Sequence, residues 1–141
     1  MESYIKLYKG MTTTLQKKIG LDDTALNFGS GKIENLLATP RLVAFMVEAC
    51  ARLIDPTLPE GFVSVGHGIS VDHYKPSMMG ATVTVQVTVN TFENGKFIFD
   101  MCAYDEFGQI GEGSHTRSIV HHQSFIQKAA AREHEHAQIA G

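Results

Sequence analysis

The segment TPRLVAFMVEACARLI, beginning at Thr39, constrains this chain more than any other. Arg41, Glu48 and Arg52 fall at i, i+7 and i+11, one narrow polar stripe at 3.6 residues per turn, and every other position after Pro40 is apolar. A helix so nearly apolar all round must be enclosed by other structure over most of its circumference. Thr39-Pro40 marks its start, because the hydroxyl can cap an orphan backbone amide and proline presets φ at the first helical position. Asp55-Pro56 marks its end, because proline disfavours helix in the residue before it. The enclosing structure must come from the rest of 141 residues. That length buries about two-thirds of the unfolded surface around one core without metal or disulfide support.

After the helix the hydrophobic period switches to two. Val63, Val65, His67, Ile69, Val71 and His73 share one face of a strand, and Val83, Val85, Val87 and Val89 alternate with polar residues in a second. Turn signals at Glu93-Asn94-Gly95 and Asp105-Glu106-Phe107-Gly108 lead into strands over 96–104 and 109–121. These four read most simply as an antiparallel meander. A further strand is expected over 11–19, followed by turn and loop through the Gly29-Ser30-Gly31 cluster, and a helical tail from about 123. The sum is an α+β fold, a single domain over 1–141 in which a curved antiparallel sheet wraps a long central helix. Such a sheet has free edges, so a homodimer is expected, with dimers of dimers also open.

Several classes fall away on composition. The longest uncharged apolar run, Leu42 to Val47, is far short of the roughly 20 residues that span a bilayer. A net charge of -3 disfavours a non-specific nucleic-acid binder. Cys50 and Cys102 sit in apolar stretches and the N-terminal MESYIKLYKG has no apolar signal core, so a reduced, cytoplasmic setting is expected. His121-His122 and His134-Glu135-His136 read as solvated surface rather than metal ligands, since neither spacing puts two imidazoles on one face.

The strings LLATPRLVAFMVEACARL, SVGHGISVDHYKPSMMGATVTV and IGEGSHTRSIV, in this order, resemble the hotdog-fold thioesterases of the fluoroacetyl-CoA thioesterase-like family. The resemblance implies a hotdog fold and a dimer with active sites between subunits. It also implies metal-free hydrolysis of small or medium acyl-CoA thioesters, with no cofactor beyond the CoA carried by the substrate. It assigns catalysis to Thr39 and His73 and matches Gly66 to a glycine of the following strand. The family's helix glutamate has no counterpart: Val47 stands in its place, beside the acyl group. Glu48 comes one residue late, turned by about 100°.

Each of these residues carries two readings. Thr39 is a helix cap, or a hydroxyl that holds a thioester carbonyl at the positive end of a helix dipole. His73 is a satisfied core imidazole, or a proton carrier between water and the leaving thiol. Gly66 marks a bulge or a close helix contact, or lets substrate reach a backbone amide. Glu48 forms an i,i+4 pair with Arg52 rather than a catalytic carboxylate, leaving the base to His73, Asp72 or a group from elsewhere. Without the glutamate, a non-catalytic protein binding acyl-CoA or another small ligand is the alternative. His67 shares the parity of His73 but lies six residues away, and His115 reads as structural.

Overall fold

The structure, a computed structural model, describes residues 8–140, so most of the MESYIKLYKG segment, read above for a signal core, lies outside the described residues. Its elements are β1 (Thr12–Lys18), α1 (Thr39–Ile54), β2 (Phe62–His73), β3 (Thr82–Glu93), β4 (Lys96–Asp105), β5 (Gly108–His121) and α2 (His122–Ala140). The 20–38 stretch holds two short 3-10 turns, Leu21–Asp23 and Ala25–Asn27, and otherwise loop.

The five strands form one antiparallel sheet in the order β1-β3-β4-β5-β2. Only β3, β4 and β5 form a meander. β2 does not pair with β3 as the sequence order suggests; it crosses the sheet to lie against β5 at the far edge. The alternation that reveals a strand says nothing about its neighbour, and α1 covering the sheet lets β2 and β3 be separated.

Leu42, Phe45, Met46, Ala49, Cys50 and Ile54 of α1 are buried. They pack into a core with Val83, Val85, Val87 and Val89 of β3 and Phe97, Phe99 and Met101 of β4. Each large apolar side chain so enclosed contributes about 1.5–3 kcal/mol. The β3–β4 hairpin closes through Asn94 and Gly95, both at positive φ (54° and 75°), as a two-residue turn between right-twisted strands requires.

Two details of the sequence reading change. The pairing of β2 with β5 shifts between Gly66 and Gly68, so His67 is bulged out of register. The inward face changes parity there: Ser64 is buried before the bulge, whereas Val71 and His73 are half-buried after it. The single apolar face expected from Val63 to His73 is therefore two half-faces. In addition α1 begins one residue earlier than expected, with Ala38 as N-cap and Thr39 inside the first turn, and no side chain caps it. The Thr39 hydroxyl is engaged elsewhere.

Candidate active site

Thr39 opens α1 and His73 closes β2, 34 residues apart, and the fold brings their side chains together. Thr39 Oγ1 lies 2.8 Å from His73 Nδ1. Thr39, one residue past the Ala38 N-cap, thus uses its hydroxyl on the imidazole. His73 Nε2 is shielded from solvent and has no hydrogen-bond partner among the described residues. Burial pushes the His73 pKa below 6.5, opposed more weakly by the polar backbone of Lys75 nearby, and the downward shift favours the neutral ring at pH 7. With its proton on Nδ1 the ring offers Nε2 as a base; with the proton on Nε2, Thr39 donates to Nδ1 and Nε2 is a hydrogen-bond donor.

Both side chains line a cleft of about 410 Å³ whose other walls include Phe28, Ile33, Leu36, Pro40, Tyr74 and Pro76. The 20–38 loop forms its outer side. Arg41 anchors that loop to α1, with Nε 2.8 Å from Asp23 Oδ1, Nη2 donating to the Asp22 carbonyl, and the guanidinium 5.6 Å from the Phe28 ring centre. The polar stripe of α1 is thus split. Arg41 serves the loop, while Glu48 pairs with Arg52 (3.4 Å) as its spacing predicts, and also with Lys17 of β1 (3.3 Å). Glu48 is therefore part of a surface network.

The other matched residues lie outside this cleft. Val47 is half-buried about two turns further along α1, and Gly66 is exposed at the bulge of β2, seven residues from His73. At about 3.3 Å per residue that is some 20 Å along the strand, so Gly66 and His73 of one protomer cannot meet on one atom. Asp72 is exposed and His67 is exposed on the bulge. His121, His122, His134 and His136 are exposed, and no group of metal-ligating side chains occurs among the described residues.

Sequence reasoning missed a buried polar network behind the bulge. Arg117, only 6% exposed, donates from Nε to Ser64 Oγ and from Nη2 to the Ser64 carbonyl, both at 2.8 Å. Its Nη1 lies 3.2 Å from His115 Nε2, and His115 Nδ1 lies 2.7 Å from the Gly68 carbonyl. Arginine can only donate, so His115 Nε2 accepts and its proton sits on Nδ1, bonded to Gly68. Burial, and more weakly the Arg117 charge, push the His115 pKa down, against the Gly68 hydrogen bond. Asp55 Oδ1 receives both the amide and the hydroxyl of Ser64. The structural reading of His115 is thus given a mechanism: it pins the Gly66–Gly68 bulge. The available signal was parity, since Gly113, His115, Arg117 and Ile119 alternate on one face of β5 and a charge there points inward.

A long helix held against a five-stranded antiparallel sheet in this order, with polar residues where the helix starts and β2 ends, defines a hotdog-fold protein of the thioesterase type. A model of the fluoroacetyl-CoA-specific thioesterase family matches residues 19–123, and the chain belongs to that family. It is 33% identical over 93 residues to the fluoroacetyl-CoA thioesterase of Streptantibioticus cattleyicolor, covering 66% of this chain and 67% of that one. A hot-dog-like protein from Thermanaerovibrio acidaminovorans superposes with a TM-score of 0.84 at 29% identity, over 90% of this chain and 94% of that one. A variant of the fluoroacetyl-CoA-specific thioesterase in complex with fluoroacetate and CoA gives 0.79 at 27% identity, over 83% and 98% respectively. No helix among the described residues is long and apolar enough to cross a membrane.

Proposed function

We propose that this chain is an acyl-CoA thioesterase-like hydrolase for small or medium acyl groups, with His73 and Thr39 at its centre. The carrying observation is the 2.8 Å Thr39–His73 contact on the wall of an apolar cleft, in a chain of this family. The acyl group sits in the cleft. Water adds to the thioester carbonyl carbon as its proton passes to His73 Nε2. The oxyanion then collapses, the carbon–sulfur bond breaks, and the leaving thiolate takes the proton back from Nε2. Thr39, at the positive end of α1, holds the carbonyl oxygen and orients the ring; no base activates it for attack. No metal or cofactor enters this scheme.

The second oxyanion donor is the Gly66 amide of the partner subunit. β2 is a free edge of twelve residues on which Gly66 to Ser70 are all exposed, Ile69 included, and long exposed edges of this kind are ordinarily paired. Antiparallel self-pairing centred on Ser70 sets Gly68 opposite Asp72 and, past the bulge at His67, Gly66 of one chain opposite His73 of the other. Thr39, Val43 and Val47 fall within about 80° on α1 and give an apolar side to such a homodimer; the β1 edges leave a route to dimers of dimers. A cytoplasmic setting keeps Cys50 and Cys102, both free thiols, reduced.

The direct test is thiol release from a panel of short and medium acyl-CoAs, with His73→Ala as control. Release by the wild type and its loss in the variant support the proposal; inertness across the panel overturns it. Val47 favours a second reading, an acyl-CoA binder that lacks the family's carboxylate. Under it the wild type binds without turnover and Val47→Glu creates hydrolysis; hydrolysis by the wild type removes it.

A further inference from the structure

Lys75 and Pro76 line both the cleft beside His73 and a second depression of about 400 Å³, bounded by the β4–β5 turn with Asp105, Phe107 and Gln109. Phe107, at the tip of that turn, is 91% exposed, more than any other large apolar side chain described. Its backbone is fixed: Phe107 N–H donates to Asp105 Oδ1 at 2.8 Å, and Glu106 Oε1 accepts the Thr82 amide at 2.9 Å. Asp105 Oδ2 takes the Ser77 hydroxyl at 2.7 Å, so both carboxylates of the turn are occupied. Lys75 is placed between the two depressions by its amide, 3.3 Å from the Ile110 carbonyl, beside the Tyr74 amide at 2.9 Å from the same oxygen. Its ammonium has no ion pair among the described residues.

A lone exposed phenylalanine is ordinary. One on a turn pinned by hydrogen bonds, in a depression that shares an unpaired cation with the wall of a thioester site, has the layout of a stacking platform with a phosphate contact on the way to it. We propose that this second depression seats the nucleotide end of the CoA substrate, the adenine on Phe107 and a phosphate on Lys75. The inference rests on the thioesterase reading, and it selects CoA over a carrier-protein thioester, whose arm ends without a base.

The test compares an acyl-CoA with the matching acyl-pantetheine, which has the same reacting end and no nucleotide, and measures binding of free CoA by calorimetry. Wild type is expected to show the lower KM for acyl-CoA. Phe107→Ala and Lys75→Ala each raise that KM by about three- to tenfold and move the ratio of the two KM values toward one. Lys96→Ala, an equal charge change at the opposite hairpin, leaves the ratio alone. Equal KM values for the two substrates in the wild type, or unaltered ratios in both variants, overturn the subsite while hydrolysis still stands. If neither thioester is cleaved but CoA binds and Phe107→Ala weakens it, the subsite holds and the hydrolase reading falls. No CoA binding by the wild type overturns the subsite as well.

Discussion

His73 and His115 are both withdrawn from water and both have pKa values pushed below 6.5 chiefly by burial, yet they are opposites in the way that matters for chemistry. His115 spends both ring nitrogens, one on the Gly68 carbonyl and one on Arg117. His73, whose side chain lines a cleft, spends one on Thr39 and leaves Nε2 without a partner. Burial and a shifted pKa therefore do not separate a structural histidine from a reactive one; an unspent nitrogen on a ring that lines a cavity does.

Exchanging the two losses tests that contrast most severely. His73→Ala is expected to lower kcat/KM for the preferred acyl-CoA by about 10²–10⁴-fold, the usual worth of a positioned acid or base, while urea unfolding moves by less than about 1 kcal/mol. A mild rate effect with a large loss of stability would make His73 a core residue after all. His115→Ala should do the reverse, costing about 2–4 kcal/mol in urea unfolding, because Arg117 loses an acceptor in a buried site and the bulge loses its tether. Arg117→Met should cost about 1–3 kcal/mol by the same measurement, since Ser64 and His115 lose their donor while the aliphatic volume is kept.

The pH dependence sharpens the comparison. A histidine whose pKa is lower folded than unfolded binds more protons unfolded, so stability is complete above 6.5 and is lost as pH falls from there toward the folded value. Unfolding free energy measured from pH 7.5 to 5 should decline, and His115→Gln should flatten the decline. Activity should show an acid limb with its midpoint below 6.5, set by His73. The smallest effect belongs to Glu48→Gln: its pairs with Lys17 and Arg52 lie at the surface with partly exposed side chains, so stability should change by at most about 1 kcal/mol and thiol release hardly at all. A large rate loss there would return Glu48 to the active site.

What the sequence made legible was whatever short-range periodicity encodes. The enclosed helix, its end at Asp55-Pro56, the alternating strand over Val83 to Val89 and both tight turns could be read directly, because each depends on neighbours within a few residues. Strand order could not, since β2 finds β5 across some 40 to 60 residues of chain. The Thr39 cap was misplaced because the helix starts one residue earlier, with Ala38 as its N-cap, and the freed hydroxyl meets an imidazole 34 residues away that no local pattern announces. Of the matched site residues, Thr39 and His73 converge, whereas Gly66 and Val47 stand apart from them within one chain. The bulge at His67 also altered the expected parity of β2, and only the Arg117 network explains how it is held.

Gly111 lies opposite His73 in the sheet, and a methyl group there would sit 2.8 Å from the Asp72 carbonyl, 3.3 Å from Leu42 Cδ2 and 3.6 Å from the His73 α-carbon. It is thus wedged between the strand that carries the imidazole and the helix that carries the hydroxyl. The spacing of that pair is calibrated by atoms the chain does without. Enlarging this position by a single carbon would act as a shim, prying helix from strand at the point where a few tenths of an ångström decide whether a proton has somewhere to go.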